Sequence, residues 1–253
     1  MIPCLHVEYS STAMLRIRLT FLQNVGMSAC RHVGMMEMHV VALMSQKGGA
    51  GKSTLAVHLA TEATSRGTKT LLLDLDPQGN LTNWAQRRGD AAPDVDAIHA
   101  SNLAQTLKDA RAEGYDLVFV DTAPNADRTT MLVAQTADLV VSPCQPAQFD
   151  LDALNATVDL CLALKRPVMV VINAAPPREN SSVVADAVAV VKETGAEVSP
   201  AVISYRVAFR HCLANGSTAA EYEPGGKAAQ EVARLYDDVS TRLHDDMSTR
   251  RGV

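Results

Sequence analysis

With 253 residues, 47% of them hydrophobic and 20% charged, the chain is long enough to bury one sizeable core and short for two. A formal net charge of −5 argues against nucleic-acid binding driven by bulk charge, while a local basic patch stays open. Five scattered cysteines, never in a Cys-x-x-Cys pair, encode neither a disulfide framework nor a zinc or iron–sulfur site, and no apolar run reaches the roughly 18 residues of a membrane span.

Residues 1–37 show no sustained helical period and several internal methionines, so a disordered leader or a misplaced start is expected; the alternative is an edge strand of Leu15, Ile17 and Leu19 in "LRIRLTF". From Met38 the pattern is regular. The apolar run "HVVALM" predicts a strand, a glycine-rich loop follows, and Leu55, Leu59 and Ala63 repeat at helical spacing until Gly67. Short Val- and Leu-rich runs recur at "TLLLDLD", "YDLVFVD", "ADLVVSP" and "PVMVVINAA", separated by segments long enough for crossover helices. This alternation predicts an α/β fold with a doubly wound, mainly parallel sheet and helices on both faces. Near the C-terminus, Val232, Leu235, Tyr236, Val239 and Leu243 form one helical stripe, with Glu231, Asp237, Asp238, Asp245 and Asp246 on the opposite face. The expected organisation is one domain over 38–245 and a flexible tail over 246–253.

The loop "MSQKGGAGKST" carries the chemistry. Gly51, Lys52 and Ser53 fit the end of a phosphate loop, although Gln46 stands where the general pattern has its first glycine. Gly48, Gly49 and Gly51 let backbone N–H groups converge on an anion at a helix N-terminus. Lys52 is then expected to bridge the β- and γ-phosphates, and the Ser53 hydroxyl to join the coordination of a magnesium ion. Asp74 and Asp76 end one strand and Asp121 ends another, which places all three at the carboxyl edge of the sheet, where open α/β folds bind ligands.

The variant "KGGAGKS" resembles the deviant Walker A motif of the ParA/MinD family of ATPases, and "LLLDLDPQGNLTNWA" and "YDLVFVDTAP" resemble that family's next two motifs in order. The resemblance covers Met38 to about Leu243 and implies a P-loop NTPase-like fold with ATP and Mg2+ as cofactors. It implies that Lys47, Gly48, Gly49, Ala50, Gly51, Lys52, Ser53 and Thr54 cradle the nucleotide. Lys47 would reach in trans across a nucleotide-sandwich dimer, supplying a second cation much as an arginine finger does. Asp76 would orient or activate the attacking water, Asp74 would support the metal shell, and Asp121 would hold a magnesium-bound water. Asn173 would read the base, although an asparagine after a strand is also an ordinary turn residue. Trp84, the only tryptophan, is as readily packed at a dimer or partner surface as given a specific task.

The acidic C-terminal helix speaks against a MinD-like membrane anchor, whose polar face should be basic. "ISYRVAFRHCLANGSTAAEYEPGGKAAQEVARLY" resembles the C-terminal portion of ParA partition proteins. The implied function is that of a short ParA-type ATPase without an N-terminal DNA-reading domain, cytoplasmic and nucleoid-associated. It would form an ATP-dependent homodimer, bind DNA without sequence preference through Arg206 and Arg210, with Lys227 and Arg234 contributing, and segregate plasmid or chromosomal DNA with a ParB-like centromere-binding partner. The alternatives are a ParA-like ATPase positioning another cargo and a MinD-like cell-division regulator.

Overall fold

Runs of valine and leucine form strands here because β-branched and large apolar side chains pack well on a pleated surface covered on both faces. A computed structural model describes residues 38–124, 128–177 and 182–251. The expectations for residues 1–37 lie outside the described residues. In chain order the elements are β1 (His39–Leu43), α1 (Lys52–Ser65), β2 (Thr70–Asp74), α2 (Asn80–Arg88), β3 (Asp94–Ala97), α3 (Leu103–Ala112), β4 (Leu117–Asp121) and α4 (Arg128–Thr136). They continue with β5 (Leu139–Cys144), α5 (Gln148–Ala163), β6 (Val168–Ile172), α6 (Ser182–Glu193), β7 (Glu197–Val198), α7 (Val207–Ala214), α8 (Ala219–Tyr222) and α9 (Lys227–Arg251).

The strands make one seven-stranded sheet in the order β3-β2-β4-β1-β5-β6-β7, each described pairing parallel. The α/β alternation read from the sequence is therefore borne out. Each strand divides its side chains between two cores, as the two-residue period requires. Val40, Ala42, Val118 and Val120 face α3 to α6, while Val41, Leu43, Leu117 and Phe119 face α1, α2, α7 and α9. The predicted stripe of α9 is buried throughout, with Leu235 and Val239 fully enclosed.

One expectation about α9 needs correction. Glu231 does not belong to an exposed acidic face: it is 5% exposed, accepts hydrogen bonds from the Ser204 backbone N–H and hydroxyl, and pairs with Arg206. The carboxylate points inward because a guanidinium is there to neutralise it. The helix runs past residue 245 to Arg251.

His58 ties the second core together. From α1 its Nδ1 donates to the Thr54 carbonyl at 2.7 Å, and its Nε2 accepts the Ala219 N–H at the start of α8 at 3.1 Å. A carbonyl can only accept and an amide N–H can only donate, so the neutral tautomer is required. Burial pushes the imidazole from an ordinary value near 6.5 down to about 4. Its contribution is therefore full above the unfolded value and is lost as the pH falls from about 6.5 toward 4, an effect of about 3 kcal/mol. Urea unfolding of the parent should lose that much more stability between pH 7 and pH 4 than a His58→Gln variant, whose side chain does not titrate. Parallel profiles for the two proteins would show that His58 is not the titrating group.

Candidate active site

The loop after β1 lies where the order of strands reverses, since the chain moves from β1 to β2 and β3 on one side and later to β5, β6 and β7 on the other. Gly49 and Gly51 adopt φ of 77° and 100°, a region costly to other residues. At Gly51 a Cβ would also run into the Asn173 amide. The loop is braced from two later strands: Asn173 donates to the Ala50 carbonyl at 2.6 Å and Gln145 to the Gly49 carbonyl at 3.1 Å. Asn173, expected to read a base, thus buttresses the loop in this state.

Lys52 is 6% exposed, and its Nζ donates to the Ser45 carbonyl at 3.3 Å. Burial lowers its affinity for its proton, while Asp121 and Asp76 oppose that effect. Asp121, at the end of β4, is fully buried, and neither carboxylate oxygen has a hydrogen-bond partner of good geometry. Burial pushes it up to about 7; the nearby Ser53 hydroxyl and Lys52 lower it, and Asp74 and Asp76 raise it. A buried carboxylate with two unpartnered oxygens next to a hydroxyl fits a divalent cation, which would complete its shell with water and phosphate oxygens rather than with further protein groups. Among the described residues no group of three or more His, Cys, Asp or Glu is placed to form an all-protein cage.

Asp74 has a different set of partners. Its oxygens accept the Thr82 N–H at 3.0 Å, the Thr82 hydroxyl at 2.9 Å and the Asp76 N–H at 3.2 Å, which shapes the turn between β2 and α2. Asp76 is half-buried, accepts the Gln78 N–H at 2.9 Å, and shares a cavity of about 340 Å³ with Gly48, Gly51, Lys52, Ser53 and Thr54. Phosphate loop and carboxylate thus face one space. Ala50 is buried, and Ala123 leads into Pro124, which lines this cavity.

Lys47 stands at the margin, its side chain 39% exposed, and forms an ion pair with Asp150 in the first turn of α5. Asp150 is 5% exposed and its other oxygen has no partner. Within a single chain, then, the first lysine is folded back onto its own α5 rather than onto the phosphate cavity. Asp150 and Gln145 were not picked out from the sequence; the only signal was that both follow closely on the end of β5, at the ligand-binding edge.

Trp84 is 2% exposed, so a place at a partner surface is corrected: its Nε1–H donates to the Ser217 carbonyl at 3.2 Å. Arg88 lies over the Trp84 ring and pairs with Glu221 through two hydrogen bonds of 2.9 and 2.6 Å, bolting α2 to α8. Of the two arginines assigned to DNA, Arg206 is engaged by Glu231, whereas Arg210 is exposed beside the Tyr205 ring. The cysteines described, Cys144, Cys161 and Cys212, are all buried thiols.

Residues 41–219 match the family described as the CobQ/CobB/MinD/ParA nucleotide binding domain. Among characterised relatives, the "Maintenance of carboxysome distribution protein A" of Gloeobacter kilaueensis is 43% identical over 122 residues, 47% of this chain and 55% of that protein. "Protein ParA" of Rhizobium radiobacter is 38% identical over 124 residues, 48% of this chain and 53% of the relative. The chain thus spans about half the length of these two relatives, whereas the match to the "Chromosome-partitioning ATPase Soj" of Thermus thermophilus, 28% identical, takes in 80% of this chain and 95% of that one. Among solved structures, apo McdA from Cyanothece superposes with a TM-score of 0.67 at 18% identity, covering 82% of this chain and all of that one. A chain of the MinC:MinD cell division protein complex of Aquifex aeolicus superposes with a TM-score of 0.66 at 18% identity, covering 80% of this chain and 96% of that one; likenesses at this identity concern the fold.

Proposed function

Because this chain belongs to the CobQ/CobB/MinD/ParA nucleotide-binding family, we propose that it is a magnesium-dependent ATPase of the ParA type whose ATP-bound dimer moves a cargo over DNA. The observation that carries this reading is a phosphate loop with a second lysine beside it, Lys47, which pairs with Asp150 of its own chain. Lys52 would hold the β- and γ-phosphates, and Ser53 and Asp121 the magnesium. When bound, the ion neutralises charge on the phosphates. Asp76 would take the proton of the attacking water, Asp74 keeping the Asp76 backbone in place, and Lys47 would leave Asp150 for phosphates bound by the partner subunit. Asn173 would define the loop's shape beside the base.

We place DNA contact at Arg210 rather than Arg206. Its guanidinium centre lies 5.4 Å from the Tyr205 ring centroid, it is exposed, and it makes no ion pair with a described residue. Each phosphate neutralised releases counterions, so affinity should depend steeply on salt and should appear mainly in the dimer, which doubles the cations on one surface. Anisotropy of a labelled duplex should rise with ATP and magnesium, and Arg210→Ala should weaken binding about tenfold and flatten the salt dependence. Unchanged affinity and salt slope, with the ATP-dimer intact, would move the DNA surface elsewhere.

The relatives' names support two cargoes. Partition proteins support a plasmid or chromosomal locus bound by a ParB-like partner, while the carboxysome-distribution relatives support a protein assembly. A DNA-binding partner encoded immediately downstream favours the first.

A further inference from the structure

We propose that a cleft at the β7 edge of the sheet binds an acidic peptide segment of a partner protein, held in a polyproline-II conformation. The cleft has a volume of about 650 Å³. One wall is the start of α9, where Lys227, Gln230, Glu231 and Arg234 share a face. Glu231 is neutralised by Arg206 at 2.6 Å, so the net charge on this wall comes from Lys227 and Arg234. Both side chains are exposed, and neither makes an ion pair or hydrogen bond with another described residue.

The opposite wall is apolar, built from the exposed Pro177 and Pro200 and the half-buried Val184 and Val202. Prolines have little freedom to lose, so this wall is already shaped for an occupant.

Spacing selects among anions. Lys227 and Arg234 are two helical turns apart, about 10 Å along α9, a span that two separate carboxylates match. In a polyproline-II segment, residues three apart share a face and lie about 9 Å apart, so two carboxylates at that spacing can meet both cations. The residues between them would lie on the proline and valine wall. A duplex presents phosphates on a convex surface with no apolar side chain to bury there, so the concave shape and apolar wall favour a peptide. The inference does not depend on the nucleotide chemistry, because none of these residues borders the phosphate cavity.

The test is anisotropy of fluorescein-labelled Gly-Glu-Pro-Leu-Glu-Gly with the full chain. Saturable binding is expected, weakened at least about tenfold by Lys227→Ala plus Arg234→Ala, and equally by exchanging both glutamates of the peptide for glutamine. Ala185→Trp, an exposed position on the cleft wall, should also block binding while leaving every charge in place; circular dichroism of each variant confirms folding. The proposal is overturned by absence of saturation at millimolar peptide, or by parental affinity in the double variant or in Ala185→Trp. It is equally overturned if the double variant loses a labelled DNA duplex while retaining the peptide.

Discussion

Lys52→Ala is expected to weaken ATP binding by at least about a hundredfold, whereas Lys47→Ala should bind ATP nearly as the parent does and lose turnover by about a thousandfold. The two lysines differ in setting. Lys52 is buried in the loop facing the space that Ser53 and Asp76 share, so its loss leaves phosphate charge uncompensated in a desolvated site, which costs about 3 kcal/mol or more. Lys47 is half-exposed and tied to Asp150, so the monomer's phosphate contacts do not need it. A cation supplied across a dimer acts on charge that develops during transfer, where such groups account for 10³-fold or more, roughly, in rate. Removing Lys47 also strands the buried Asp150 carboxylate, so stability must be separated from catalysis. Lys47→Ala combined with Asp150→Asn should recover melting temperature but not activity. Asp150→Asn alone frees the lysine and should lower the ATP concentration needed for dimerisation. Titrations with a fluorescent ATP analogue, phosphate release and light scattering read these quantities; full turnover by Lys47→Ala would remove the trans assignment.

Asp76→Asn should reduce hydrolysis about a hundredfold or more while ATP binding changes little, and the protein should accumulate as a dimer on gel filtration with ATP and magnesium. The amide still accepts the Gln78 N–H that the carboxylate accepts now, so the turn before α2 is preserved, but it cannot take a proton from water. An active Asn variant would assign Asp76 to turn geometry alone. A variant that stays monomeric at saturating ATP would place it in assembly instead.

The parts of the fold legible in the sequence were those written in continuous apolar runs: β1, β2, β4, β5 and β6 each coincide with one. β3 and β7 were not, because "DVDA" alternates charge at a sheet edge and Glu197–Val198 is only two residues long. In the site, the phosphate loop and the aspartates at strand ends could be read because their meaning is local. Asp150 could not, since its importance comes from meeting Lys47 across more than a hundred positions of chain. Glu231 was misread for a related reason: helical periodicity put it with the aspartates, and only tertiary structure brings Arg206 and Ser204 to it. Periodicity reports which way a side chain leaves its helix, not what waits there.

Among the described residues, both edges of the sheet are poor templates for adding strands. β3 exposes Asp94 and Asp96, and β7 is cut short by Pro200 after two residues. On the proposed function the molecule would gather at high local density on a polymer or around a cargo, where edge-to-edge aggregation is a constant risk. Here that route is closed at both ends, which leaves self-association to surfaces that can be reversed. Crowding the molecule should therefore produce a concentrated but exchanging layer rather than a fibre, and its recovery after photobleaching on a DNA carpet should stay complete as density rises.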